Sequence, residues 1–137
     1  MKVLKAPIFL FILLVCTNVT AQNLLGYKLN DLKRYMRENQ VTMVFQGQTF
    51  NNTFKYAKYA DRDGNQTTLF FFTADSVCKG IRMICDKNME PLMIKDLDSK
   101  YKKAGTNTWT ESKSGKNYIL ELREEEWSFN VTISLKD

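Results

Sequence analysis

The stretch WSFNVTISL, from Trp127 to Leu135, is the clearest indicator of the fold in this sequence. Its apolar residues occupy every second position, and serine, asparagine or threonine fills each position between them. An alternation with a period of two predicts a β-strand that packs one side against a core and exposes the other side to water. Such strands are typical of antiparallel sheets that are covered on one face.

Upstream runs rich in β-branched and aromatic residues predict the rest of the sheet. We expect further strands over 41–45, 54–60, 67–73, 77–85, 106–112 and 118–122. The dipeptides Asp63-Gly64 and Ser114-Gly115 favour tight turns between neighbouring strands. The segment QGQTFNN (46–52) is expected to be a loop.

Two segments have helical periodicity instead. Leu29, Leu32, Tyr35 and Met36 recur at helical spacing, which predicts an amphipathic helix over 30–39. Leu92, Met93, Leu97 and Tyr101 recur in the same way, which predicts a second helix over 91–103. Pro91 suits the first turn of that helix, and Gly105 suits its end.

These elements follow the order α-β-β-β(-β)-α-β-β-β. That order predicts an α+β domain with one antiparallel sheet of about 5–7 strands and both helices packed on one face. The sequence contains no evident internal repeat. A single domain over residues 22–137 is expected from its length.

The first 21 residues have the features of a secretory signal peptide. Lys2 and Lys5 precede the apolar run Ala6–Cys16, and Val19 and Ala21 form a small-residue cleavage site. The run is shorter than the roughly 20 residues of a membrane-spanning helix. We therefore expect cleavage after Ala21, no membrane span in the mature chain, and a secreted or periplasmic location. A lipoprotein acylated at Cys16 is the less favoured alternative.

The charge of the mature chain argues against a nucleic-acid partner. Removal of Lys2 and Lys5 lowers the formal net charge from +5 to +3, and the remaining basic residues are scattered among acidic ones.

The cysteines of the mature chain, Cys78 and Cys85, offer little chemistry. On one straight strand, residues seven apart point to opposite faces and are too distant for a disulfide. We favour two separate thiols, with a disulfide as the alternative if Lys79-Gly80 forms a turn or bulge. No metal site is expected, because the chain contains no histidine and two thiols cannot complete a zinc site. The segment DRDGN (61–65) also lacks the spacing of a calcium loop.

The absence of histidine removes the commonest general base and the usual catalytic triads. No catalytic residue and no cofactor site is therefore predicted, and the protein is not expected to be an enzyme. A carboxylate-dependent hydrolase or lyase remains the alternative, with Glu111, Glu121 and residues 124–126 as candidates.

A sheet covered on one side leaves its other face available for recognition. Aromatic and arginine side chains on such a face are typical of protein-binding surfaces. We expect this surface to contain Tyr56, Tyr59, Arg82, Trp109, Ile119 and Arg123. The predicted function is binding of a protein or another envelope component. A homodimer that pairs its sheet faces is a further alternative. On this assignment Trp109→Ala costs little stability, whereas Phe129→Ala costs about 3–5 kcal/mol.

Overall fold

The computed structural model describes residues 23–136 as two α-helices and one antiparallel sheet. The predicted signal peptide (1–21) and Cys16 lie outside the described residues. Within the described part of the chain, no helix is both long and apolar enough to cross a membrane.

The helices are α1 (Leu29–Asn39) and α2 (Glu90–Lys100), and a 3-10 turn at Lys87–Met89 precedes α2. The strands are β1 (Met43–Phe50), β2 (Lys55–Asp61), β3 (Gln66–Phe72), β4 (Cys78–Asp86), β5 (Lys102–Gly105), β6 (Thr108–Lys113), β7 (Lys116–Glu124) and β8 (Ser128–Leu135).

The strand order across the sheet is β1-β2-β3-β4-β8-β7-β6-β5. Each half of the chain contributes one helix followed by a four-stranded meander, and the last strand of each meander, β4 or β8, lies at the centre. The two central strands pair antiparallel, with Ile81 opposite Ile133 and Met83 opposite Val131. The domain is therefore a structural repeat of two α-β-β-β-β units. The sequence does not show this repeat, because a common architecture requires a common pattern of burial and not identical residues.

One face of the sheet carries the core. Leu32 and Met36 of α1 and Met93 and Leu97 of α2 are buried in the same apolar cluster as alternate residues of the strands. The largest fully buried side chains of the strands are Trp109, Phe129, Met83, Leu120, Ile133 and Val131. The α+β class with a single antiparallel sheet is thus confirmed.

Several bounds differ from the predicted ones. The described part of the sheet has eight strands and not 5–7. Residues 46–50 belong to β1 and not to a loop. Gln46 forms a bulge, and the pairing of β1 with β2 continues beyond it to Phe50. Helix α2 ends at Lys100 because Tyr101 adopts an extended backbone, so the predicted last turn of this helix becomes β5.

The hairpin turns are where the sequence predicts them. Gly64 has a φ of 75° between β2 and β3, and Ser114 and Gly115 both have positive φ between β6 and β7. The alternating apolar residues of the segment 127–135 are buried only in the middle of that segment. Trp127 precedes β8 and is 82% exposed, and Leu135 at its end is 49% exposed.

Candidate functional site: the open sheet face

The strands present a second face that points away from the helices. This open sheet face comprises Tyr56, Lys58, Thr67, Leu69, Phe71, Arg82, Ile84, Ile119, Glu121, Arg123, Asn130 and Thr132. The pairing register places these residues side by side, out of phase with the core positions. Each of them is exposed or half-buried. No described element covers this face, which therefore remains accessible.

Four of the six residues predicted for the recognition surface lie on the open sheet face. Tyr56 and Ile119 are half-buried there, and Arg82 and Arg123 are exposed. Their location follows from strand parity. Whether they bind a partner stays a prediction.

The assignment of Tyr59 to this surface is wrong. Tyr59 is only 4% exposed, and its ring packs at 5.7 Å from that of Phe70 and at 5.4 Å from that of Phe45. Tyr56 and Tyr59 are an odd number of positions apart on the unbroken strand β2, so their side chains must point to opposite faces.

The assignment of Trp109 is also wrong. Its side chain is fully buried on the core side, in register with Leu120 and below the end of α2. The indole Nε1–H donates a hydrogen bond of 2.8 Å to Oδ1 of Asp98, which satisfies its polar atom. The alternation of Trp109 with Thr108 and Thr110 is the sequence signal that indicates burial, because the apolar residue of such a strand faces the core.

The apolar part of the open sheet face lies on β2, β3 and β4. Tyr56 and Phe71 are direct cross-strand neighbours, with ring centroids 6.1 Å apart. Gly80 is the next residue along this row and has no side chain to cover Phe71. Leu69 and Ile84 extend the apolar surface toward the centre of the sheet. This part contains two aromatic rings, fewer than the sequence predicts.

The polar part lies on β4, β8, β7 and β6. Arg82, Thr132, Glu121 and Thr108 follow one another across these four strands. They line a shallow depression together with Arg123 and Asn130. Among the described residues, no ion pair engages Lys58, Arg82 or Arg123. These three basic side chains outnumber the acidic Glu121 and Asp86 on this face, and the excess positive charge favours an acidic partner surface.

The two cysteines of the described chain are free and buried. The two thiols are separate, as expected, but β4 is not the straight strand on which they would point to opposite faces. Lys79 forms a bulge opposite the Phe71–Phe72 step, and this extra residue returns Cys78 to the core side that Cys85 also occupies. Burial raises the pKa of both thiols to about 12, so both are protonated and unreactive at neutral pH.

The candidate carboxylates do not all converge. Glu111 lies on the side of Tyr118 and accepts a hydrogen bond of 2.7 Å from Nδ2 of Asn23. Glu121 points to the open sheet face instead. Glu124 and Glu90 do meet, and their hydrogen bond is the main cause that raises the pKa of Glu90. Neither residue of this pair lines the depression that Glu121 lines.

No group of three or more metal-ligating side chains occurs within residues 23–136. Comparison with protein-family models, with curated proteins and with solved structures found no match to this chain. Its function is therefore argued from geometry alone.

Proposed function

We propose that the protein is a small exported, non-enzymatic domain that binds a protein partner through its open sheet face. The observation that supports this function is the uncovered face itself, where apolar side chains adjoin unpaired basic ones. Tyrosine and arginine are the residues that most often dominate binding energy at protein interfaces.

The composition of the face defines the chemistry of the partner. The cross-strand pair Tyr56 and Phe71 requires an apolar counterpart that excludes water. Arg82 and Arg123 require carboxylates at the rim of that contact, where they increase the association rate and the specificity. The partner surface is therefore apolar at one end and acidic at the other.

The experiment is a quantitative pull-down from an extract of the cell envelope, with residues 22–137 as bait. The test variant is Arg82→Glu combined with Arg123→Glu. The control variant is Lys95→Glu combined with Arg34→Glu, which makes the same charge change on exposed residues of the two helices. We expect the captured amount of one protein to fall at least about tenfold on the test bait. The amount captured by the control bait should stay unchanged.

The reciprocal titration uses that captured protein after purification. Equal affinity for the test and control variants would contradict the proposal. A domain that sediments as a dimer, and whose dimer the test variant alone disrupts, would instead support the homodimer with paired sheet faces. Glu111 and Glu121 do not share a face, so the geometry gives less support to a carboxylate-dependent enzyme built on them.

A further inference from the structure

The two edge strands of the sheet differ in their protection against further pairing. The edge strand β5 has four residues, and two of them are lysines. The edge strand β1 has eight residues, MVFQGQTF, with no charged residue and no proline. Short, lysine-rich edges are a common device against strand addition, whereas long uncharged edges permit it. The bulge at Gln46 leaves Met43–Phe45 as the first pairing segment of this edge.

A groove runs between α1 and this first segment of β1. Its apolar lining is Met36, Val41, Met43, Val44, Phe45 and Tyr59. Val41 is 68% exposed and Phe45 44% exposed, so the groove has an accessible apolar surface. The sequence prediction missed this groove, because the packing of α1 beside the edge strand β1 is a tertiary property.

Three basic side chains line the groove, and none of its lining residues is acidic. Lys33 lies with its Nζ 4.9 Å from the centre of the Phe45 ring. Arg37 lies close enough to Tyr59 to act electrostatically on its hydroxyl. Arg62 lies at the far end, where its backbone N–H donates to the carbonyl oxygen of Thr42. The positive charges are thus distributed along the groove and not gathered at one point.

We propose that this groove binds an extended peptide segment that carries an acidic side chain at every second position and adds as a strand to the free edge of β1, with those acidic side chains on the groove side. Backbone pairing with an open edge supplies affinity, and the side chains that contact the flanking groove supply specificity. Carboxylates spaced along the peptide match Lys33, Arg37 and Arg62. A single-headed ligand such as a fatty acid would engage only part of this distributed charge. A second copy of the chain would bring its own basic groove to the contact.

The probe is a fluorescent eight-residue peptide that alternates glutamate and valine, titrated onto residues 22–137, which contain every described element. Two matched peptides accompany it. One has lysine in place of glutamate, and the other is N-methylated at every residue, which removes the backbone donors of both edges and keeps the side chains. We expect the glutamate peptide to bind, and each matched peptide to bind at least about tenfold more weakly.

The protein variants test the position of the site. Lys33→Glu combined with Arg37→Glu should weaken binding at least about tenfold. Arg34→Glu is the matched control on the same helix, because Arg34 pairs with Asp31 at 2.6 Å and does not line the groove. It should change the affinity by less than about twofold. Binding should also slow hydrogen exchange of the Phe45 amide, since the N–H of Met43 already donates to the carbonyl oxygen of Gln40.

Three results would overturn the proposal. They are equal affinity of the N-methylated peptide, equal weakening by Arg34→Glu, and binding of dodecanoate in place of the glutamate peptide. Thermal unfolding of each variant shows that lost binding does not reflect lost folding.

Discussion

At the scale of single residues, parity along a strand decides which side chains are available for binding. Tyr56 and Tyr59 share β2 and differ only in the face to which they point. The parity of Tyr59 follows from the sequence once the strand is known to be unbroken. The inward orientation of Trp109 likewise follows from its position between Thr108 and Thr110, because the apolar residue of such a strand faces the core.

The burial of Trp109 reverses the expected effect of its substitution. Trp109→Ala removes a fully buried indole and leaves Asp98 without its hydrogen bond, so we expect a loss of about 3–5 kcal/mol. Phe129→Ala should cost a similar amount, since Phe129 is also fully buried. The control is Trp127→Ala, at an 82% exposed position, which should stay within about 0.5 kcal/mol. Urea unfolding curves of the three variants measure these costs. Equal midpoints for Trp109→Ala and Trp127→Ala would show that the indole is not in the core.

The buried thiols should make stability depend on pH in the alkaline range. Each has its pKa raised from 9.0 to about 12, so the folded state holds these protons more tightly than the unfolded chain. Their contribution is complete below pH 9 and is lost as the pH rises toward 12. We expect the free energy of unfolding to fall less steeply in this range for the Cys78→Ala, Cys85→Ala double variant.

A thiol reagent provides the second test of the same burial. Native residues 22–137 should not react with 5,5′-dithiobis(2-nitrobenzoate) at pH 8, and the unfolded chain should react at both cysteines. Rapid reaction of the native domain would contradict the buried positions of these thiols.

At the scale of elements, hairpin turns and amphipathic helices could be predicted because their signals are local. Asp63-Gly64 and Ser114-Gly115 specify turns through the φ values that glycine tolerates. The sequence does not predict the bulge at Gln46 and offers the bulge at Lys79 only as an alternative, since each bulge is defined by the partner strand. The same holds for β5. Its first residues continue the helical pattern of α2 in the sequence, but in the structure they pair with β6.

The turn between β6 and β7 provides a test at this scale. Gly115 has a φ of 74°, so Gly115→Ala should destabilise the domain by about 1 kcal/mol through backbone strain. Gly80→Ala is the control, because Gly80 has no positive φ and an added Cβ would meet its neighbours at ordinary contact distance, 4.0 Å. That variant should cost less than about 0.5 kcal/mol. Thermal unfolding compares the two, and the opposite order would contradict the turn geometry.

At the scale of the whole molecule, the one-sided sheet follows from the alternation of a few strands. The pattern in β8 predicts one buried and one open face, and the structure has both. The strand order could not be predicted, because nothing local indicates that β4 and β8 pair at the centre. Without that order, the row of Arg82, Glu121 and Thr108 across the sheet is not apparent from the sequence.

The most direct test of the open sheet face as a recognition surface is site-specific photocrosslinking in envelope extract. A benzophenone amino acid replaces Ile119 on the open sheet face in one variant and Lys95 on the exposed side of α2 in the other. We expect an adduct of one defined mass from position 119 and none of that mass from position 95. Adducts of equal yield from both positions, or from position 95 alone, would contradict it.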